Sequence, residues 1–98
     1  MEINGFDWDD GNGEKCKKHG ITIEEVESIF HDQPYVSSNM NHESEEIRYH
    51  AVGKTFTGRY AFVVFTFRNR PEGILIRPIS ARFMHQKEIN HYEKQIKK

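Results

Sequence analysis

The nine residues 60–68, YAFVVFTFR, constrain the fold more than any other stretch of the chain. Divided by strand alternation, Tyr60, Phe62, Val64, Thr66 and Arg68 fall on one side and Ala61, Val63, Phe65 and Phe67 on the other, so both sides are largely apolar. A strand of that kind belongs in the middle of a sheet. Helices cover one side and the other is partly shielded, with Thr66 and Arg68 marking where one face reaches water.

Flanking strands are predicted over 46–52 and 74–80, separated from the central one by the turn-rich segments 53–58 and 69–73, which makes sequential antiparallel pairing the economical topology. Residues 3–8 read as a short edge strand, and 9–13 (DDGNG) are residues that favour turns and helix starts. Residues 14–19 form a helical turn that Gly20 ends in the left-handed region. Thr22 followed by Glu25 is a capping box that opens a helix over 21–32. Ile23, Val26, Ile29 and Phe30 share its apolar face while Glu24, Glu25 and Glu27 point away, and Ile21 staples to Val26. Pro34 ends it. Residues 35–39 suit a short strand and 39–45 a polar, mobile loop. A last helix over 83–97 presents Ile89, Tyr92 and Ile96 to the sheet. Together these elements predict a single domain over 1–98 of α+β class, a small twisted, mainly antiparallel sheet with N-terminal helices and a C-terminal helix.

Several classes of function fall away. The longest apolar run, 60–65, is far below the roughly 20 residues that span a bilayer, and no basic-then-apolar leader opens the chain, so a cytoplasmic protein without membrane contact is expected. Cys16 is the lone cysteine, which agrees with a reducing compartment. Six histidines invite a metal, but Glu88-Ile89-Asn90-His91 is a single Glu-x-x-His motif where a di-iron site needs two, and His85 and His91 miss the four-residue spacing of a helical pair. Neither metal nor cofactor is expected. Phosphate-binding glycine loops and nucleophile elbows are missing.

Charge supplies the positive lead. Residues 1–47 carry three lysines against twelve acids, a balance of −9, whereas 48–98 carry eleven cations against three acids, a balance of +8. A basic half attracts polyanions such as an RNA backbone or an acidic partner. Within it, residues 74–93 (ILIRPISARFMHQKEINHYE) place Arg77 and Arg82 around a strand-to-helix junction, where rigid cations recognise phosphate or carboxylate.

The ordered motifs carry a further signal. Trp8-Asp9, Lys18-His19-Gly20-Ile21, Asp32, Arg48 with Gly53, Phe65-Thr66-Phe67-Arg68, Ile76-Arg77-Pro78-Ile79-Ser80-Ala81-Arg82, Glu88 and Tyr92-Glu93 together resemble the BrnT family of bacterial type II toxins, ribonucleases with a RelE-like fold. The chain departs from that pattern at Gly11-Asn12-Gly13, which loosens a segment usually more helical, at Lys15 and at Pro78. The resemblance implies an RNA-cleaving toxin neutralised by a cognate ribbon-helix-helix, BrnA-like antitoxin, with promoter DNA bound only through the toxin–antitoxin complex.

Such an enzyme needs no metal, because RNA carries its own nucleophile in the 2′-hydroxyl. Arg68, Arg77 and Arg82 are the candidates for stabilising the phosphorane, and His19 leads for proton transfer, with His85 and Tyr92 behind it. Lys18, Arg48 and Tyr49 join His85 and Tyr92 as expected RNA contacts, and Trp8 and Tyr49 offer stacking surfaces. The same residues also serve plain anion recognition. A catalytically silent RNA- or antitoxin-binding module, or a structural subunit of a repressor complex, is the alternative.

Overall fold

The computed structural model describes residues 3–40 and 47–96. β4 (Tyr60–Arg70) occupies the centre of a five-stranded sheet of order β1-β5-β4-β3-β2, as its two apolar faces require. β2 (Tyr35–Met40), β3 (Ile47–Lys54), β4 and β5 (Gly73–Phe83) pair antiparallel with their neighbours. Only β1 (Gly5–Phe6), at the far edge, runs parallel, setting Gly5 and Phe6 beside Leu75 and Ile76. The helices are α1 (Asp10–Lys17), α2 (Ile23–His31) and α3 (Gln86–Ile96), the first two N-terminal and the third C-terminal, which makes this an α+β fold. Of the polar segment at 39–45, Asn39 and Met40 belong to β2 and the remainder lies outside the described residues.

α1 and α2 cover one face of the sheet. Cys16, Ile21, Val26 and Ile29 pack there on Ala51, Ala61, Val63, Phe65, Ile76 and Ala81, all buried. Burial pushes the Cys16 thiol up to about 11, so it stays protonated and unreactive at neutral pH. Alternation then sends His50, Val52, Phe62, Val64 and Arg82 to the opposite, open face.

Three local expectations are corrected. The first helix begins not at residue 14 but at Asp10, because Asp9 caps it by accepting from the Asn12 amide (3.0 Å) while Asn12 Oδ1 accepts from the Asp9 amide (2.7 Å). Asn12 Nδ2 also donates to the carbonyls of Asp7 (2.9 Å) and Pro78 (2.8 Å), so this buried amide replaces the acid of an ordinary capping box and knits α1 to β5. Glu25 does not point away but is buried. Burial pushes its pKa up, yet hydrogen bonds from Thr57 (2.7 Å) and Thr22 outweigh it and hold the carboxyl below its ordinary value. Finally, β5 extends past Ser80 to Phe83, because Ala81 and Phe83 keep pairing with Val63 and Ala61, Ala81 buried in the core and Phe83 packed partly buried against it. Arg82 therefore lies within the strand, and α3 begins at Gln86 rather than at residue 83.

Pro78 marks a break in this ladder. The register shifts between Val64, which faces Ser80, and Phe65, which faces Pro78, leaving Ile79 as the extra residue of a bulge. A proline has no amide proton for the ladder, and a bulge is one of the few sites in a sheet that tolerate it.

α2 starts where its capping box predicts. Thr22 Oγ1 accepts from the Glu25 amide and Glu25 Oε1 from the Thr22 amide, each at 3.1 Å. Thr22→Ala is expected to cost about 0.5–2 kcal/mol of stability and to leave chemistry on the open face untouched, as checked by urea denaturation beside a low-temperature activity assay. A folded but inactive Thr22→Ala protein would show that this helix start takes part in function.

Candidate functional site

Phe62 is the centre of the open face. The Arg82 guanidinium, opposite it on β5, lies 4.9 Å from its ring centre, and the His50 imidazole from β3 approaches to 4.9 Å between centroids. α3 crosses above, docked through Tyr92, whose ring meets Tyr60 (5.7 Å) and Tyr35 (6.1 Å) edge-on. Between helix and sheet is a cleft of about 410 Å³, with His50 and Phe62 on its floor and Lys87, Glu88, His91 and Tyr92 on its helical wall. Aromatic surface, the Lys87 ammonium and two imidazoles thus line one depression, and Arg82 flanks it through Phe62 and Glu88.

Its electrostatics centre on an ion pair. Arg82 Nη1 and Nη2 donate to the two Glu88 carboxylate oxygens at 2.7 and 2.8 Å, and the His85 amide donates to Glu88 Oε1 at 2.9 Å. The Arg82 hydrogen bonds first, and the His85 amide second, pull the Glu88 pKa from 4.5 to about 2. A depressed carboxylate contributes stability above its ordinary pKa and loses it as pH falls through the folded value, so this pair is intact throughout the neutral range. Glu88 is consequently no general base there. Tyr92 shifts the other way, raised by burial and by Tyr60 and Tyr35 beside it, so its phenol remains a donor.

The remaining expected site residues are dispersed. Arg77 reaches Asp9 at 2.8 Å and Asp7 at 3.5 Å, and Asp7 also takes Arg70 at 3.1 Å; this cluster ties β5 to the start of α1. Arg68 follows Phe62, Val64 and Thr66 along one side of β4, half-buried; Thr66 does not reach water as expected but is buried, its hydroxyl donating to the Ile47 carbonyl at 2.9 Å. Arg48 is half-buried on β3, and its Nε is buried with no hydrogen-bond partner among the described residues. Lys18 and His19 are exposed in the turn after α1, on the helix-covered side. Tyr49 faces that side too, stacked on Phe65 at 5.5 Å. Trp8 packs against the core and donates its indole N–H to Glu27 at 2.8 Å. His85 is exposed at the head of α3, touching the site through its backbone.

The structure thus gathers Arg82, Tyr92 and the His85 amide, and adds His50, His91 and Lys87, which sequence reasoning passed over as ligands. One signal was available for each. The small residues Ala51 and Gly53 imply that His50 shares the other face with Arg48, and His91 follows Lys87 and Glu88 by four and three residues, one helical turn. Among the described residues, no three His, Cys, Asp or Glu side chains converge as metal ligands. A larger cleft of about 550 Å³ on the helix side, among Phe6, Phe30, Phe65 and Phe67, has His31 as the one ionisable group that lines it among the described residues, little charge for phosphate chemistry. Among the described residues, no helix is long and apolar enough to cross a membrane.

The family model described as ribonuclease toxin, BrnT, of type II toxin-antitoxin system matches residues 8–88, a span that includes His50, Arg82 and Glu88 and stops just before His91 and Tyr92. Among curated proteins, none matches the chain.

Proposed function

Because the chain belongs to the BrnT family of ribonuclease toxins of type II toxin–antitoxin systems, we propose that it is a metal-independent endoribonuclease acting in the cytoplasm, with the open-face cleft under α3 as its RNA site. Membership itself implies an RNA target and an antitoxin partner. The observation that carries the placement is Arg82, fixed against Phe62 beside a cleft lined by His50, His91 and Tyr92.

In this reading Arg82 binds the scissile phosphate and Lys87 adds long-range attraction. His50, on the rigid sheet floor, takes the proton of the 2′-hydroxyl, and the freed oxygen attacks phosphorus to give a dianionic phosphorane. The bond from phosphorus to the 5′-oxygen then breaks. His91 on α3 protonates that oxygen, leaving a 2′,3′-cyclic phosphate and a 5′-hydroxyl. Tyr92 contributes a hydrogen bond to the phosphate, since its phenol holds its proton. Arg68 and Arg48 extend the cationic track along the same face for flanking phosphates. A ribbon-helix-helix antitoxin neutralises the toxin by covering this cleft, and promoter DNA is held by the complex through the antitoxin.

The test is cleavage of an end-labelled RNA with and without EDTA. The expected result is equal rates and a cyclic-phosphate product. Loss of cleavage in EDTA overturns the metal-free mechanism, and absence of cleavage under both conditions assigns the protein to the silent binding class.

A further inference from the structure

We infer that Glu88 is a positioning residue for Arg82, acting on RNA cleavage through the guanidinium rather than on RNA. The inference rests on the cleft being the RNA site. Arg82 is held in two directions: its Cζ lies over the Phe62 ring, 4.9 Å from the centroid, and its Nη atoms are engaged by both oxygens of Glu88. Glu88 is anchored in turn by the His85 amide and lies in the first turn of α3, where the helix dipole favours a negative charge. The backbone of α3 thereby fixes the orientation of a side chain on β5.

Geometry leaves the fork usable. A guanidinium has five N–H donors, and Glu88 engages one on each Nη, so the Nε–H and the outer Nη hydrogens remain for a substrate oxygen. An arginine side chain 37% exposed and unanchored would sample several rotamers, and ordering it would oppose each catalytic cycle. Anchoring removes that cost in advance. It does not strengthen ground-state attraction, because the carboxylate offsets the charge of the guanidinium. Fixed donors matter most when charge grows on the phosphoryl oxygens, so the benefit appears in kcat and not in KM.

Glu88→Gln isolates this role from helix capping. Glutamine still accepts from the His85 amide, as in a Gln-containing capping box, but it lacks the charge and the second acceptor oxygen that the fork requires. Steady-state cleavage of a labelled RNA by the purified parental protein, Glu88→Gln, Arg82→Lys and the double variant is the experiment. Glu88→Gln is expected to lower kcat at least about tenfold with KM within about twofold, and to cause no further loss beside Arg82→Lys, where no fork remains to be oriented. Glu88→Asp, which keeps the charge but shortens the reach, carries the same expectation and serves if the glutamine variant fails to fold. A parental kcat, a change confined to KM, or an equal loss in both backgrounds overturns the inference. If Arg82→Lys itself cleaves at the parental rate, the reading of the cleft fails; if only Glu88→Gln does, the cleft stands and Glu88 is a helix cap.

Discussion

Arg82→Ala is expected to reduce RNA cleavage by about 10²–10³-fold, the usual consequence of deleting a preorganised donor to a developing oxyanion, and with it to abolish growth arrest on expression. The loss should be catalytic, not structural. Arg82 and Glu88 have side chains 37% and 35% exposed, and an ion pair that wet contributes at most about 1 kcal/mol once screening is considered. The fold should persist by circular dichroism and antitoxin binding should remain measurable. Arg82→Lys restores the charge without the planar fork, so it should stay at least about tenfold impaired, or about 1.4 kcal/mol in the barrier. A well-folded Arg82→Ala protein that cleaves RNA at the parental rate would remove the site from the cleft and redirect attention to Lys18 and His19 in the turn after α1.

The largest stability effect is expected at Phe65. Its side chain is 2% exposed in the central strand and its ring meets Phe30 at 5.0 Å, Tyr49 at 5.5 Å and Phe67 at 5.5 Å. Phe65→Ala should cost about 3–5 kcal/mol, the loss of transfer free energy plus the cavity left behind. In a small domain stable by roughly 5–15 kcal/mol, that is enough to leave a marginal protein. Urea denaturation should show a lower midpoint at unchanged slope. Because Phe65 faces the helices and the cleft lies on the other side, the surviving folded fraction should cleave RNA normally at low temperature. A loss below about 1 kcal/mol would mean that the aromatic cluster closes over the gap.

These two residues also separate what could be read in the chain from what could not. The central placement of β4 follows from apolar residues on both alternating faces, and the start of α2 follows from Thr22 and Glu25 three residues apart. Both depend on contacts within a few residues or on a repeating period, and that information is local. The ordered motifs from Trp8 to Glu93 pointed to the family that the match over 8–88 shows. Even so, local rules left 9–13 open between turn and helix start and put the helix onset at residue 14, because what makes Asn12 a helix-start residue includes its bond to the carbonyl of Pro78, 66 positions away.

The site depended on closure at long range. Arg77 and Arg82 look equivalent in the chain, yet the parallel pairing of β1 with β5 brings Asp7 and Asp9 onto Arg77, while the antiparallel pairing of β4 with β5 lays Arg82 across Phe62. His50 and His91 belong to a strand and a helix 41 positions apart and share a cleft only because α3 folds back over the sheet on Tyr92. Periodicity specifies which face of an element is buried; which elements meet across that face is set by register and packing, and the chemistry of the cleft belongs to that second level.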